Sequence, residues 1–139
     1  MISIEEALEG STPLAVKVRA LGPFESGKAL IETMREVAGT LSDPEKVATL
    51  NAHPRIGERV SQMSARSRSE QGDESAPELD ELNADYERRF GFRFVTFVNR
   101  RPKSAIVPEL RERLTRSRQE ELNAGLRAVI DIAEDRLRR

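Results

Sequence analysis

The chain has one histidine, His53, in the stretch NAHPRIGER at 51–59. An imidazole changes charge near neutral pH, so His53 can give or take a proton under cell conditions. A histidine at a helix end more often caps that end or fills a boundary position than it catalyses. Here, however, the proline and glycine that follow make a stiff joint, which suits a group that has to be aimed. A second cluster is SRSEQ at 67–71, in which Ser67 and Glu70 are three residues apart and share one face of a helix. That spacing presents a hydroxyl beside a carboxylate, although S-x-x-E is also an ordinary helix start. Arginines are abundant, and most are solvated charges. Arg136 precedes Leu137 on an amphipathic helix and is placed to lean inward.

Composition narrows the chemistry these residues can do. There is no cysteine, so disulfides, thiolate nucleophiles and Cys-based zinc sites are excluded, and one histidine cannot build a multi-His metal site within the chain. The GxSxG, GxxxxGK[ST] and GxGxxG strings are missing. The 23 Lys plus Arg against 24 Asp plus Glu leave a formal net charge of −1 and no bulk field toward nucleic acid or anionic lipid. RLTRSR at 113–118 is basic, but glutamates balance it and no aromatics interleave. No apolar run approaches the ~20 residues of a membrane span, and MISIEEALEG is acidic rather than signal-like. A cytoplasmic protein is the expectation.

The elements that must position these groups are helical. At 139 residues, with 34% charged and 37% hydrophobic residues, the chain suits one soluble domain over 1–139. Ser3 with Glu6, Ser42 with Glu45 and Ser117 with Glu120 have capping-box spacing. Thr12 before Pro13 marks a further start. Leu30, Ile31, Met34, Val37, Ala38 and Leu41 form one helical face, as do Leu79, Leu82, Tyr86 and Phe90 before Gly91, and Leu122, Leu126, Val129, Ile130, Ala133 and Leu137. A further helix starts at Ser104 and carries Ile106, Val107, Leu110 and Leu114. The helix through Val47 and Leu50 must end at His53, because Pro54 disfavours helical backbone there. The segment from about Ser61 to Gln71 has no apolar face of its own. FRFVTFV at 92–98 is strand-like but has no partner, so its backbone groups must be met by something else. The reading is an all-α fold of about seven or eight helices.

The motifs also occur together in a recognisable order. HPRIG at 53–57, SRSEQ at 67–71, LNADYERRFGFRFV at 82–95 and the closing RERL, EEL and IAEDRL, with PLAVKVRALGPFES near the start, resemble the 2-oxo-4-hydroxy-4-carboxy-5-ureidoimidazoline (OHCU) decarboxylase family almost end to end. The resemblance implies an all-α fold and a small-molecule substrate, the ureidoimidazoline derived from urate. It also implies a reaction without metal or organic cofactor, and a homodimer. It makes His53 the proton-donating acid, with Glu70 beside it in the catalytic pair and Pro54 in the pocket wall. Ser67, Arg68, Ser69, Glu70 and Gln71 become a substrate-binding segment. Phe94, Val95, Thr96, Phe97 and Val98 become a run whose backbone meets the substrate. Arg136 matches the family's arginine on the last helix, with Arg113 as the alternative. Two features depart from the family pattern: Arg93 stands where many members carry proline, and the connection after Gln71 is shorter. They motivate a competing reading, a catalytically silent helical module that binds a purine-derived ligand or a protein partner. Nucleic-acid binding is the least favoured reading.

Overall fold

The computed structural model describes residues 2–56 and 77–139. Seven helices lie among them: α1 (Ile4–Ala7), α2 (Pro13–Ala20), α3 (Gly27–Thr40), α4 (Asp43–Asn51), α5 (Pro77–Phe90), α6 (Lys103–Arg113) and α7 (Arg118–Arg138). The expected all-α architecture is the observed one. The expected segment from Ser61 to Gln71 falls outside the described residues.

The helix starts follow from side-chain chemistry. Ser3, Ser42 and Ser117 each accept a hydrogen bond from the backbone N–H three residues on, while Glu6, Glu45 and Glu120 reach back to the cap N–H. Each box satisfies donors that a helix start leaves without partners. Thr12 caps α2 at 3.2 Å from the Ala15 N–H, and Pro13 occupies the first turn. α6 begins at Lys103 rather than Ser104, with Pro102 at its cap position and no side-chain cap bond. The fixed φ of Pro102 pre-sets the entry instead. α5 ends at Gly91, whose φ of 84° puts it in the left-handed region where a side chain is costly.

α7 is the axis of the molecule. Its 21 residues pack against α1, α3 and α4, and Leu122, Val129 and Ala133 are fully buried. Gly125 allows the approach of α4: a Cβ there would lie 2.8 Å from Leu50 Cδ2, inside van der Waals contact. α5 packs against α6, and Tyr86, Phe90, Phe92 and Phe94 form an aromatic cluster with centroid separations of 4.6–6.0 Å. Arg118 pins three elements together. Its Nε donates to Phe90 O at 3.1 Å, and its Nη atoms donate to both Asp43 oxygens at 2.8 and 3.0 Å. No helix among the described residues is long and apolar enough to cross a membrane.

The run at 92–98 belongs to no helix and joins no β-ladder among the described residues. Arginine side chains take the place of a neighbouring strand. Arg113 Nη1 donates to Val95 O at 3.1 Å, Arg101 Nη2 to Phe97 O at 2.7 Å and Arg101 Nε to Val98 O at 3.0 Å. Buried carbonyls need partners, and a guanidinium supplies several N–H groups in one plane.

Candidate functional site

His53 lies just past the end of α4, its N–H donating to Leu50 O at 3.1 Å. It is 3% exposed. Leu50, fully buried against Gly125, fixes the depth of that helix end. Beyond His53 the chain is held from α5: Asn83 Nδ2 donates to Ile56 O at 2.7 Å, and Arg55 makes a two-pronged pair with Glu87 at 2.6 and 2.9 Å. On the near side, Arg93 donates from its guanidinium to Asn51 O and His53 O.

The imidazole faces a cavity of about 240 Å³. Pro54 and Ile56 line it beside His53, residues 94–100 form one wall, and Ile132, Asp135, Arg136 and Arg139 come from α7 and its cap. The structure therefore brings His53, Pro54, Phe94, Val95, Thr96, Phe97, Val98 and Arg136 to one place. Ser67, Arg68, Ser69, Glu70 and Gln71 lie outside the described residues.

The two candidate arginines separate clearly. Arg136 lines the cavity and is 1% exposed. Its Nη1 donates to Glu6 O at 3.1 Å and Ala7 O at 3.4 Å, and its Nη2 donates to Glu9 Oε1 at 2.7 Å. Glu9 itself has φ 62°, an unfavourable left-handed conformation for a side-chain-bearing residue. That turn at the end of α1 aims its carboxylate at the guanidinium. Arg113 does not line the cavity. Its Nε donates to the fully buried Glu121 at 2.6 Å, Tyr86 O–H donates to the same oxygen at 2.7 Å, and its guanidinium lies 4.6 Å from the Phe94 ring centre. Burial, reinforced by the Glu121 hydrogen bond, pushes the Tyr86 phenol above its ordinary value.

Glu109 connects this network to the cavity wall. It accepts from the Thr96 hydroxyl and from Arg101 Nη1. Burial alone would raise its pKa, but hydrogen bonds from Thr96 and Arg101 and the charges of Arg101 and Arg113 hold the carboxyl below its usual range. Past the wall, Asn99 and Arg100 turn the chain with φ 49° and 61°.

Sequence reasoning missed Asn99, Arg100, Ile132, Asp135 and Arg139. The signal for three of them was present: Ile132, Asp135 and Arg139 stand at helical spacing around Arg136, on one face of α7. The lining sets Arg100, Arg136 and Arg139 against Asp135, which is paired with Arg139 at 3.2 Å, while Glu9 pairs with Arg136 at 2.7 Å. Such a cavity suits a small anionic ligand. Among the described residues no group of three or more histidine, aspartate or glutamate side chains could hold a metal ion. The chemistry the lining offers is proton transfer at a buried imidazole and charge pairing at a fixed guanidinium.

Residues 2–138 match the family described as OHCU decarboxylase. The chain is 33% identical over 143 residues to the 2-oxo-4-hydroxy-4-carboxy-5-ureidoimidazoline decarboxylase of Haloferax volcanii, covering 95% of this chain and 83% of that protein. It is 32% identical over 137 residues to a uric acid degradation bifunctional protein of Bacillus sp. (strain TB-90), covering 93% of this chain and 27% of that one. Its fold also matches a crystal structure of OHCU decarboxylase in the presence of (S)-allantoin, with TM-score 0.75 and 22% identity, over 96% of this chain and 92% of the other. The chain belongs to the OHCU decarboxylase family.

Proposed function

We propose that this protein decarboxylates 2-oxo-4-hydroxy-4-carboxy-5-ureidoimidazoline to (S)-allantoin in urate degradation, with His53 as the proton donor. The observation that carries the assignment of roles is that the chain's one imidazole and Arg136, both buried, line the same cavity.

The chemistry follows from what each group can do. Breaking the bond to the carboxyl group releases carbon dioxide and leaves an electron pair on the ring carbon. The adjacent imine, conjugated with the ring carbonyl beyond it, takes up that pair and leaves an enol at the former carboxyl-bearing carbon, and donors aimed at the developing charge lower the barrier. Arg136, held by Glu9 and by two carbonyls of α1, pairs with anionic oxygen on the substrate. The His53 imidazolium delivers a proton from one face to the neighbouring, ureido-bearing carbon while the enol hydroxyl becomes the product carbonyl, and this sets the configuration of the product. The backbone of 94–98, which lines the same cavity, meets the substrate in this proposal. Ser67 and Glu70, with Arg68, Ser69 and Gln71 around them, hold the ureido and ring N–H groups in this proposal, on the strength of the motif match alone. The reaction is proposed to need no metal or organic cofactor.

We also propose that residues 1–139 form one functional domain and that it works as a homodimer in the cytoplasm. The family resemblance supports the dimer, and the charged composition supports the compartment. Sedimentation velocity on the purified chain tests the first of these.

The test of the activity uses substrate generated freshly from urate by the preceding enzymes, with optical rotation followed over time. The expected result is optically active (S)-allantoin formed faster than in buffer. Racemic product at the uncatalysed rate refutes the assignment. His53→Asn should abolish turnover while leaving the helical circular dichroism intact. Thermal stabilisation by purine-derived ligands with no turnover by the parent would instead identify a silent binding module.

A further inference from the structure

We propose that Arg93 is a positioning residue for His53, fixing the direction of the imidazole by clamping the end of α4. The proposal uses the decarboxylase reading for its kinetic test and stands on geometry otherwise.

A helix ends with carbonyls that have no partner within the helix. At the end of α4 these include the carbonyls around His53, and Pro54 prevents the helix from continuing to cover them. Arg93 answers with both its side chain and its backbone. Its Nη1 donates to Asn51 O at 2.9 Å and to His53 O at 3.0 Å. Its own N–H donates to Asn51 Oδ1 at 2.9 Å. Two segments some forty residues apart in sequence are thus joined by three hydrogen bonds, and the cation sits at the negative end of the helix, where it is favoured. A proline at 93 would have no N–H for Asn51 and no donor for either carbonyl.

The location rules out direct action on a ligand beside His53. Arg93 does not line the 240 Å³ cavity; it lines a second cavity of about 270 Å³ on the other side of the joint, with Asn51, Arg55 and Glu87. Its influence reaches the reaction only through the backbone that carries the imidazole. An error of about 1 Å in the placement of a reacting group can cost on the order of 100-fold in rate. Loss of the clamp should therefore appear in kcat, where the proton is transferred, more than in KM.

The experiment measures Arg93→Ala and Arg93→Lys in the full chain by turnover of fresh substrate and by the carbon–proton correlation signal of the imidazole. With one histidine in the sequence, that signal belongs to His53 without assignment. Arg93→Ala should lower kcat by about 10- to 100-fold with KM within about threefold, and should displace or split the imidazole signal. Arg93→Lys keeps the backbone bond to Asn51 and one cation, so it should recover part of the rate. A kcat within about twofold of the parent overturns the proposal. So does a lower kcat with an unmoved imidazole signal, because Arg93 would then act on the substrate and not on His53. If Arg93→Ala does not fold, Arg93→Gln, which retains the N–H and one donor, is judged by the same two readouts. If the parent itself does not turn over, the decarboxylase reading fails and the imidazole signal alone decides the clamp.

Discussion

Arg113→Met isolates the buried network that supports the cavity wall. The substitution removes the 2.6 Å bond to Glu121, the 3.1 Å bond to Val95 O, the 3.5 Å pairing with Glu109 and the contact with the Phe94 ring. Glu121, fully buried, is left with the Tyr86 hydroxyl. Stranding one partner of a buried ion pair costs about 3–5 kcal/mol. A chain of this kind has about 5–15 kcal/mol in total. At about 2–4 °C per kcal/mol, the melting temperature should fall by roughly 6–20 °C. The assay is thermal unfolding followed by far-ultraviolet circular dichroism. The companion variant Arg113→Met/Glu121→Leu/Tyr86→Phe removes every member of the buried set. It should recover to within about 1–3 kcal/mol of the parent, the remaining deficit being the stranded Val95 carbonyl. The reasoning is refuted if Arg113→Met melts within about 1 kcal/mol of the parent, or if the triple variant is no more stable than the single one.

Further expectations can be checked separately. Thr12→Ala removes the buried cap of α2 and should cost about 1–2 kcal/mol in denaturant unfolding. Glu109 has a folded pKa below its ordinary 4.5, so its contribution is present above that value and is lost as pH falls through the lower folded value. The denaturant midpoint, followed by the near-ultraviolet signal of Tyr86, should fall less steeply below pH 4.5 in Glu109→Gln than in the parent, the remaining slope coming from carboxylates such as Asp43, Glu45 and Glu120. Glu9→Gln removes the negative charge that competes for Arg136 while keeping an acceptor oxygen, so it should lower KM for an anionic substrate, while Glu134→Gln on the helix of Arg136 should change it little; steady-state kinetics separate the two.

Much of the fold was legible because its signals are local. Ser42 with Glu45 and Ser117 with Glu120 announce helix starts in four residues, and the stripe from Leu30 to Leu41 announces a buried face. His53 stood out as the one imidazole, placed by a proline that must end its helix. The choice between Arg136 and Arg113 was not legible, because both lie on amphipathic helices and periodicity does not say which cation turns inward to a carboxylate and which to a cavity. The decision depends on Glu121 and Glu9, one across a helix turn and the other more than a hundred residues away. The run at 92–98 looked like a strand without a neighbour for a similar reason. No pattern of alternation foretells that arginines from α6 and the loop before it will occupy its carbonyls.

That arrangement matters for the protein's solubility. FRFVTFV combines aromatic and β-branched residues with a single charge, the composition of segments that stack into fibrils when their backbone is open to another chain. An exposed strand edge invites such pairing. Here Arg101 and Arg113 occupy the carbonyls that an incoming strand would use. The side chains that hold the wall of the cavity also keep this aromatic and β-branched stretch from recruiting copies of itself.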